Sequence, residues 1–389
     1  MTATPPVLRN EDIEARKPHE ELPSEPGSHD NSVQVWVLRI LSALVVPTVL
    51  ALFFFTFEFL QDPSINKIVQ VVVAIIVGVG GVWLLYWALD RLVASFPERA
   101  GNGVRPFVFA GPALIILGFY LIYPTIDTIV LSFRDASGEG FVGFDNFAQI
   151  FTQSTYLVAL RNSIAWAIVV PIVCVVVGLA VAALADILPR RTESIFKSVV
   201  FLPMAVSFVG ASVVFAFIYS FRVAGFGEQI GLLNAIWTTF GGEAVDWMRV
   251  PLWNNLFLMV ILIWTQTGFA MVILSAAIKA VPTDIVEAAR IDGATEWQAF
   301  RRITVPTIAS TVVVVWTTIL ITTWKVYDIV AVMTGGGDGT SVIAERMVTE
   351  FFTFRNNGVG AALAVVLLIV VMPVLVINIR RFRQQEAVR

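Results

Sequence analysis

The residues able to do chemistry in this chain are few, and their types exclude most reactions. Its two histidines, His19 and His29, lie in an acidic, proline-rich opening stretch, and its one cysteine, Cys174, lies in an apolar run. The remainder offers no His/Cys metal spacing and no Ser–His or Cys–His pair. No Gly-x-x-x-x-Gly-Lys phosphate loop occurs anywhere. Cys174 reads as a small buried hydrophobe. What remains is binding rather than bond-making: polar and aromatic side chains set inside long apolar runs. Thr322-Thr323-Trp324-Lys325-Val326-Tyr327-Asp328 is the richest such set, and Trp264-Thr265-Gln266-Thr267-Gly268 is the second. Polar groups so placed are costly, which makes them candidates for contact with a solute. A plainer reading stands beside that one. Lys325 and Asp328, three apart, can pair with each other. Trp324 and Tyr327 can anchor at an interface, and Gln266 and Thr267 can bond a neighbouring helix.

The elements that must position these residues are membrane helices. With 389 residues, 57% hydrophobic, 14% charged and a mean hydropathy of +0.80, the chain is too apolar for a soluble domain. A bilayer core needs about 20 apolar residues per helix. Eight stretches meet that demand, at 34–60, 67–89, 107–133, 164–188, 195–221, 255–280, 307–333 and 359–379. The fold class is therefore all-α and polytopic, with about eight spans. Two-residue alternation is lacking, which excludes a closed barrel. Pro112, Pro124, Pro171, Pro203 and Pro373 predict kinks. Lys325, counted from Thr307, lies about 27 Å along its helix, which places the 322–328 set in the outer half of the bilayer. Asn254 and Asn255 are expected to cap the outer end of the sixth span.

Positive charge sets the orientation. With an even number of spans and the amino terminus inside, the inner segments after the amino-terminal tail carry 14 Lys and Arg and the outer ones 7. Both termini are then cytoplasmic. Residues 1–33, with five prolines and seven acidic residues, read as a disordered cytoplasmic tail rather than a cleaved signal peptide. Residues 381–389 read as a short second tail.

The inner segment between the sixth and seventh spans, 282–306, is polar and sharply punctuated. Asp284 with Glu287 after Pro282 predicts a capped helix start. Gly293 can end that helix in a left-handed conformation. Thr295 with Gln298 restarts a second helix whose Trp297, Phe300 and Ile303 share a face. A rigid helix–turn–helix on an inner loop is a docking part for a soluble partner.

Here the sequence resembles the permease subunits of ABC importers, in their carbohydrate-uptake branch. Glu287, Ala288, Ala289, Gly293, Ile303 and Pro306 match the Glu-Ala-Ala signature, and Asp292-Gly293-Ala294 matches its sugar variant. Gly143-Phe144-Asp145-Asn146-Phe147, Ala159-Leu160-Arg161-Asn162-Ser163, Phe201-Leu202-Pro203, Thr334-Gly335-Gly336-Gly337 and Gly360-Ala361-Ala362 follow in the family's order. Gly231-Leu232-Leu233-Asn234-Ala235 and Gln266-Thr267-Gly268-Phe269 look like alpha-glucoside permeases in particular.

The resemblance implies a type I importer core over 107–380, with two additional helices and an inner loop over 34–106. It implies a bacterial inner-membrane heterodimer with a second permease, two ATPase subunits that hold ATP and Mg, and an extracytoplasmic sugar-binding protein. The chain itself would hold no cofactor, catalyse nothing and bind no nucleic acid. Glu287, Ala288, Ala289, Asp292 and Gly293 would be the coupling residues. Sugar recognition wants aromatic planes beside hydrogen-bonding groups, so Trp324, Lys325, Tyr327, Asp328, Gln266 and Thr267 become the substrate-binding candidates. The outer segment between the third and fourth spans is too short for the large outer domain of the enteric maltose permease. An ion-coupled transporter using Lys325 and Asp328 as a relay is the alternative, although no inverted repeat is visible in the sequence.

Overall fold

The computed structural model describes residues 32–94, 98–223, 225 and 227–387. The acidic tail read over 1–33 lies outside the described residues except for its last two positions, which already belong to the first helix. The chain divides into two compact units, Met1–Ile122 and Tyr123–Arg389. Among the described residues the sole β pairing is an isolated bridge between Arg134 and Phe141.

The first unit holds α1 (Ser32–Gln61), α2 (Lys67–Ala94) and α3 (Glu98–Leu117), the last continuing through a π-turn at Gly118–Ile122. A five-residue turn joins α1 and α2. Asp62 holds it by accepting from the Ser64 N–H at 2.9 Å, and Asn66 accepts from the Ile68 N–H at 2.8 Å as the start of α2. The two helices cross where a side chain on Gly81 would meet the Phe53 ring at 2.6 Å. Phe54, Phe55, Ile75 and Trp83 point outward and are exposed, as expected of helices whose solvent is lipid.

The second unit is built round two long helices. In order it contains α4 (Tyr123–Leu131), α5 (Asp145–Thr152), α6 (Ser154–Asp186), α7 (Arg190–Phe201), α8 (Phe208–Ile218), α9 (Leu232–Thr239) and α10 (Trp253–Lys279). There follow α11 (Thr283–Ile291), α12 (Glu296–Ala299), α13 (Val305–Thr307), α14 (Ala309–Trp324), α15 (Asp328–Met333), α16 (Ile343–Val348) and α17 (Asn357–Ala387). The α6–α10 pair forms the most extensive contact of the unit. It is close because it is small: a Cβ on Gly178 would fall 2.5 Å from the Ala270 Cβ and 3.1 Å from the Met271 nitrogen. Small residues at a crossing let backbones approach where no hydrophobic effect drives association. Trp166, Val170 and Cys174 of α6, Leu258, Leu262 and Met271 of α10, and Val315 and Ile319 of α14 fill the resulting core. A second core joins Tyr156, Leu320 and Trp324 to Ile343, Val359 and Leu363.

Gly178→Val should therefore separate α6 from α10. The expected overpacking cost is about 1–3 kcal/mol, read as a lower melting temperature of the solubilised protein. An unchanged melting temperature would mean that this crossing relaxes freely.

Six described helices are long and apolar enough to cross a membrane, and two bent pairs bring the number to eight. The eight expected stretches thus have counterparts, but two of them are not straight. Arg190–Ala205 and Phe208–Ile218 meet at 100°. Pro203 starts the break, a 3₁₀ turn covers Leu202–Ala205, and the Ser207 hydroxyl caps α8 by accepting from the Gly210 N–H at 3.1 Å. Glu296–Thr307 and Ala309–Trp324 meet at 69°. The helix expected to run to 333 stops at Trp324, and α15 restarts after Tyr327. The break lets Val326, Ile329 and Val330 all bury in the α6–α10 core. At the far end, α17 continues through Ala387, so the described part of the 381–389 tail is helical backbone.

The 132–153 segment is held by its own side chains. Asp135 accepts from the Ser137 hydroxyl at 2.7 Å and from the N–H groups of Gly138 and Glu139. These bonds, the Ser137 hydroxyl foremost, hold its carboxyl below the usual carboxylate range. Asn146 clamps the segment by donating to the carbonyls of Ser132 and Arg134 at 2.9 and 2.7 Å.

Candidate functional site

The 282–306 segment folds as two short helices at a fixed angle. Pro282 precedes α11 in an extended conformation and no side chain caps the helix. The cap expected of Asp284 and Glu287 does not form, because the helix begins one residue earlier, at Thr283. Asp284 instead sits inside the first turn, where its charge favours the positive end of the helix dipole. The other end matches the reading of the residues. Gly293 has φ +87°, its N–H donates to the Arg290 carbonyl at 3.0 Å, and the Ala294 N–H donates to the Ala289 carbonyl at 3.0 Å. This pair of bonds is the Schellman stop, which needs a left-handed residue where Gly293 stands.

The second helix starts at a complete capping box. The Gln298 N–H reaches the Thr295 hydroxyl at 3.3 Å, and the Gln298 side chain accepts from the Thr295 N–H at 2.8 Å. Arg290 and Glu296 then bridge the hinge through two guanidinium–carboxylate contacts of 2.9 Å each. Both are exposed, so the bridge aligns the helices more than it stabilises them. Trp297 and Phe300 stack with ring centres 5.9 Å apart.

Glu287, Ala288, Asp292 and Gly293 are exposed along this surface and Ala289 is half-buried. Beside them, Ile291 is 86% and Trp297 66% exposed. Large apolar side chains displayed on an otherwise polar element make this a candidate interaction surface.

The substrate-binding candidates are more dispersed. Trp324 is buried in the core shared with α16 and α17. Lys325 is exposed at the end of α14, while Tyr327 and Asp328 are half-buried at the start of α15. The break between α14 and α15 separates Lys325 from Asp328, and neither belongs to an ion pair among the described residues. The pairing offered as the plainer reading is therefore absent. Gln266 and Thr267 are half-buried midway along α10. Thr267 donates to the Ile263 carbonyl one turn back at 2.6 Å, whereas the described residues give the Gln266 amide no hydrogen bond.

The sequence reading missed an asparagine clamp at the opposite end of the bundle. Asn254 and Asn255 do not cap α10. The cap position is Leu252, at φ 70°. Asn254 instead donates to the Asp338 carbonyl at 2.8 Å and Asn255 to that of Gly339 at 3.3 Å. Asn162 of α6 donates to the carbonyls of Gly339 and Ser341 at 2.7 and 2.9 Å. Ser163 receives the Ile343 N–H at 2.9 Å. Together they hold the 334–341 turn, in which Gly335, Gly336, Asp338 and Gly339 all have positive φ. The available signal was three asparagines at the ends of apolar stretches, where an amide must find a partner.

Comparison with known proteins agrees with this fold. Residues 175–385 match the family model described as "binding-protein-dependent transport system inner membrane component". The chain is 52% identical over 282 residues to the osmoprotective compounds uptake permease protein GgtC of Synechocystis, covering 72% of this chain and 100% of that protein. It is 44% identical over 336 residues to the alpha-glucoside transport system permease protein AglF of Rhizobium meliloti, covering 84% and 99%. A bacterial ABC transporter that imports the polysaccharide alginate has the same fold, with TM-score 0.62, 21% identity and coverage of 72% of this chain and 99% of that one. The chain, a bent, multi-span helical bundle, thus belongs to the binding-protein-dependent inner membrane component family, the non-catalytic permease subunits of ABC importers.

Proposed function

We propose that this chain is one half of a permease heterodimer importing an alpha-glucoside or a related small oligosaccharide across a bacterial inner membrane. Both termini are cytoplasmic in this reading, which places the 282–306 segment on the ATPase side. Two ATPase subunits supply the ATP and Mg, and an extracytoplasmic binding protein delivers the sugar. The observation that carries the reading is the exposed Ile291–Trp297 surface on a rigid hinge. Such a surface can pass force only if the ATPase contacts it differently in two states.

The arrangement of this chain's own residues supports three tasks. Glu287, Ala288, Ala289, Asp292 and Gly293 form the part gripped by an ATPase. The bent α7–α8 and α13–α14 pairs are places where rocking helices can change angle without breaking a continuous span. Trp324, Lys325, Tyr327, Asp328, Gln266 and Thr267 remain the proposed sugar contacts, with the exposed Lys325 and the unbonded Gln266 amide the most available of them. The ion-coupled alternative is unsupported: Lys325 and Asp328 make no pair, and the relatives are ABC permeases. A second substrate reading, an osmoprotective solute, is favoured by the 52% identity to the Synechocystis protein.

The deciding measurement is ATPase activity of the whole complex in lipid, titrated with its binding protein and with trehalose, maltose, sucrose or a non-sugar osmoprotectant. Stimulation by one loaded binding protein names the substrate class. Stimulation by the osmoprotectant alone selects the second reading. A chain that recruits no ATPase overturns the proposal.

A further inference from the structure

Four charged side chains from three helices meet where α6 and α10 end beside the 282–306 segment. Glu193, buried in the first turn of α7, accepts from Lys279 at 2.5 Å and also from Lys197 of its own helix. Lys279 lies 3.5 Å from Asp186 at the end of α6, and Lys197 donates to Ser275 of α10. Glu193 thereby binds α7 to α10, and Lys279 extends the tie to α6. Lys279 is four residues before Thr283, at the root of the coupling hairpin.

The hairpin itself stands off from α6. A groove of about 1340 Å³ lies between them, lined by Leu179 and Ala183 on one side, Ile278 and Lys279 at the root, and Glu287 and Trp297 on the other. Displacement of the hairpin therefore has little side-chain packing through which to push α6 directly. At the root, the route runs along the chain to Lys279 and from there to Glu193 and Asp186. The far end of α7 is also seated on α10: a Cβ on Gly268 would fall 2.6 Å from the Val200 carbonyl oxygen and 2.8 Å from the Phe201 Cα. Held at both ends, α7 is a strut leading to its 100° junction with α8.

We propose that Glu193 is the positioning residue that carries hairpin movement from Lys279 into the α7–α8 junction. This rests on the reading of the hairpin as the ATPase-docking part. A mere structural staple would set how much complex assembles. A force-bearing tie sets how much solute moves per ATP.

The test is the ratio of sugar transported to ATP hydrolysed, measured in proteoliposomes holding the complete importer and its binding protein. In Glu193→Gln the ratio should fall about 5- to 100-fold, the range of ordinary coupling energies. Lys279→Met should reproduce the loss, Lys279→Arg should restore most of the ratio, and the double variant Glu193→Gln/Lys279→Met should be no worse than either single one. If Glu193→Gln fails to assemble, the Lys279→Met and Lys279→Arg pair decides. A normal ratio in Lys279→Met, or a lower yield of complex at an unchanged ratio, overturns the proposal. Gly293→Asp runs in parallel. If it uncouples while the Glu193 and Lys279 variants do not, only the tie is wrong; if it too leaves the ratio unchanged, the docking reading has failed.

Discussion

Replacing Gly293 with aspartate is expected to cut uptake about 5- to 30-fold, while the chain still inserts and assembles. Gly293 sits at φ +87°, where an ordinary L-residue pays about 1–2 kcal/mol. About 1.4 kcal/mol is a tenfold change in a conformational equilibrium. A Cβ there would meet nothing within 4 Å, so the penalty is conformational and the rest of the bundle is untouched. Loss of the left-handed residue releases the Ala289 and Arg290 carbonyls from the Schellman bonds. The angle between α11 and α12 is then no longer set, and Ile291 and Trp297 cease to be presented together. The side chains should rank by their tolerance of this conformation, with Asn mildest, Asp next and the β-branched Val worst. Uptake of labelled sugar alongside binding-protein-stimulated ATPase activity measures this. Wild-type uptake in Gly293→Val would remove the hinge from the mechanism.

The largest effect on stability is expected at Glu350. It is 2% exposed and accepts both the Tyr156 hydroxyl at 2.9 Å and the Arg346 guanidinium at 2.8 Å. Arg346 is wedged between the Tyr156 and Phe354 rings, 5.4 and 5.1 Å from their centres, and its Nε has no hydrogen-bond partner among the described residues. Glu350→Leu would strand this guanidinium without a counter-charge, at a cost of about 3–5 kcal/mol. Glu350→Gln, which still offers Tyr156 an acceptor, should lose less. The double change Glu350→Leu/Arg346→Met should recover most of the loss, because an apolar pair leaves no charge unpaid. Thermal unfolding of the solubilised protein orders the four forms. A Glu350→Leu variant as stable as the parent would show that water reaches Arg346.

The 282–306 hairpin was legible because its signals are local. Gly293, and Thr295 with Gln298, act over three to five residues, and the backbone they dictate is the backbone observed. Asp284 misled for a related reason: a one-residue shift in where α11 begins converts a cap into a first-turn charge, and boundaries of that size depend on packing. The seventh span was read as continuous because its hydrophobicity is continuous. Its break after Trp324 is instead set by the burial of Val326 and Ile329 against α6 and α10, which lie far away in sequence.

The same division holds for the whole molecule. The sequence by itself determined the membrane class, the approximate number of spans and the place and turn chemistry of the 282–306 hairpin, since each follows from composition or from contacts within a few turns. Only the tertiary structure decided which polar residues are structural. It turned Asn162, Asn254 and Asn255 inward onto the 334–341 turn, buried Trp324, parted Lys325 from Asp328, and brought Lys279 to Glu193 across 86 residues of chain. An amide or a charge in an apolar helix announces that it needs a partner. Which partner it finds is set by how the helices cross, and that depends on small residues such as Gly178 and Gly268 meeting surfaces that no local pattern describes.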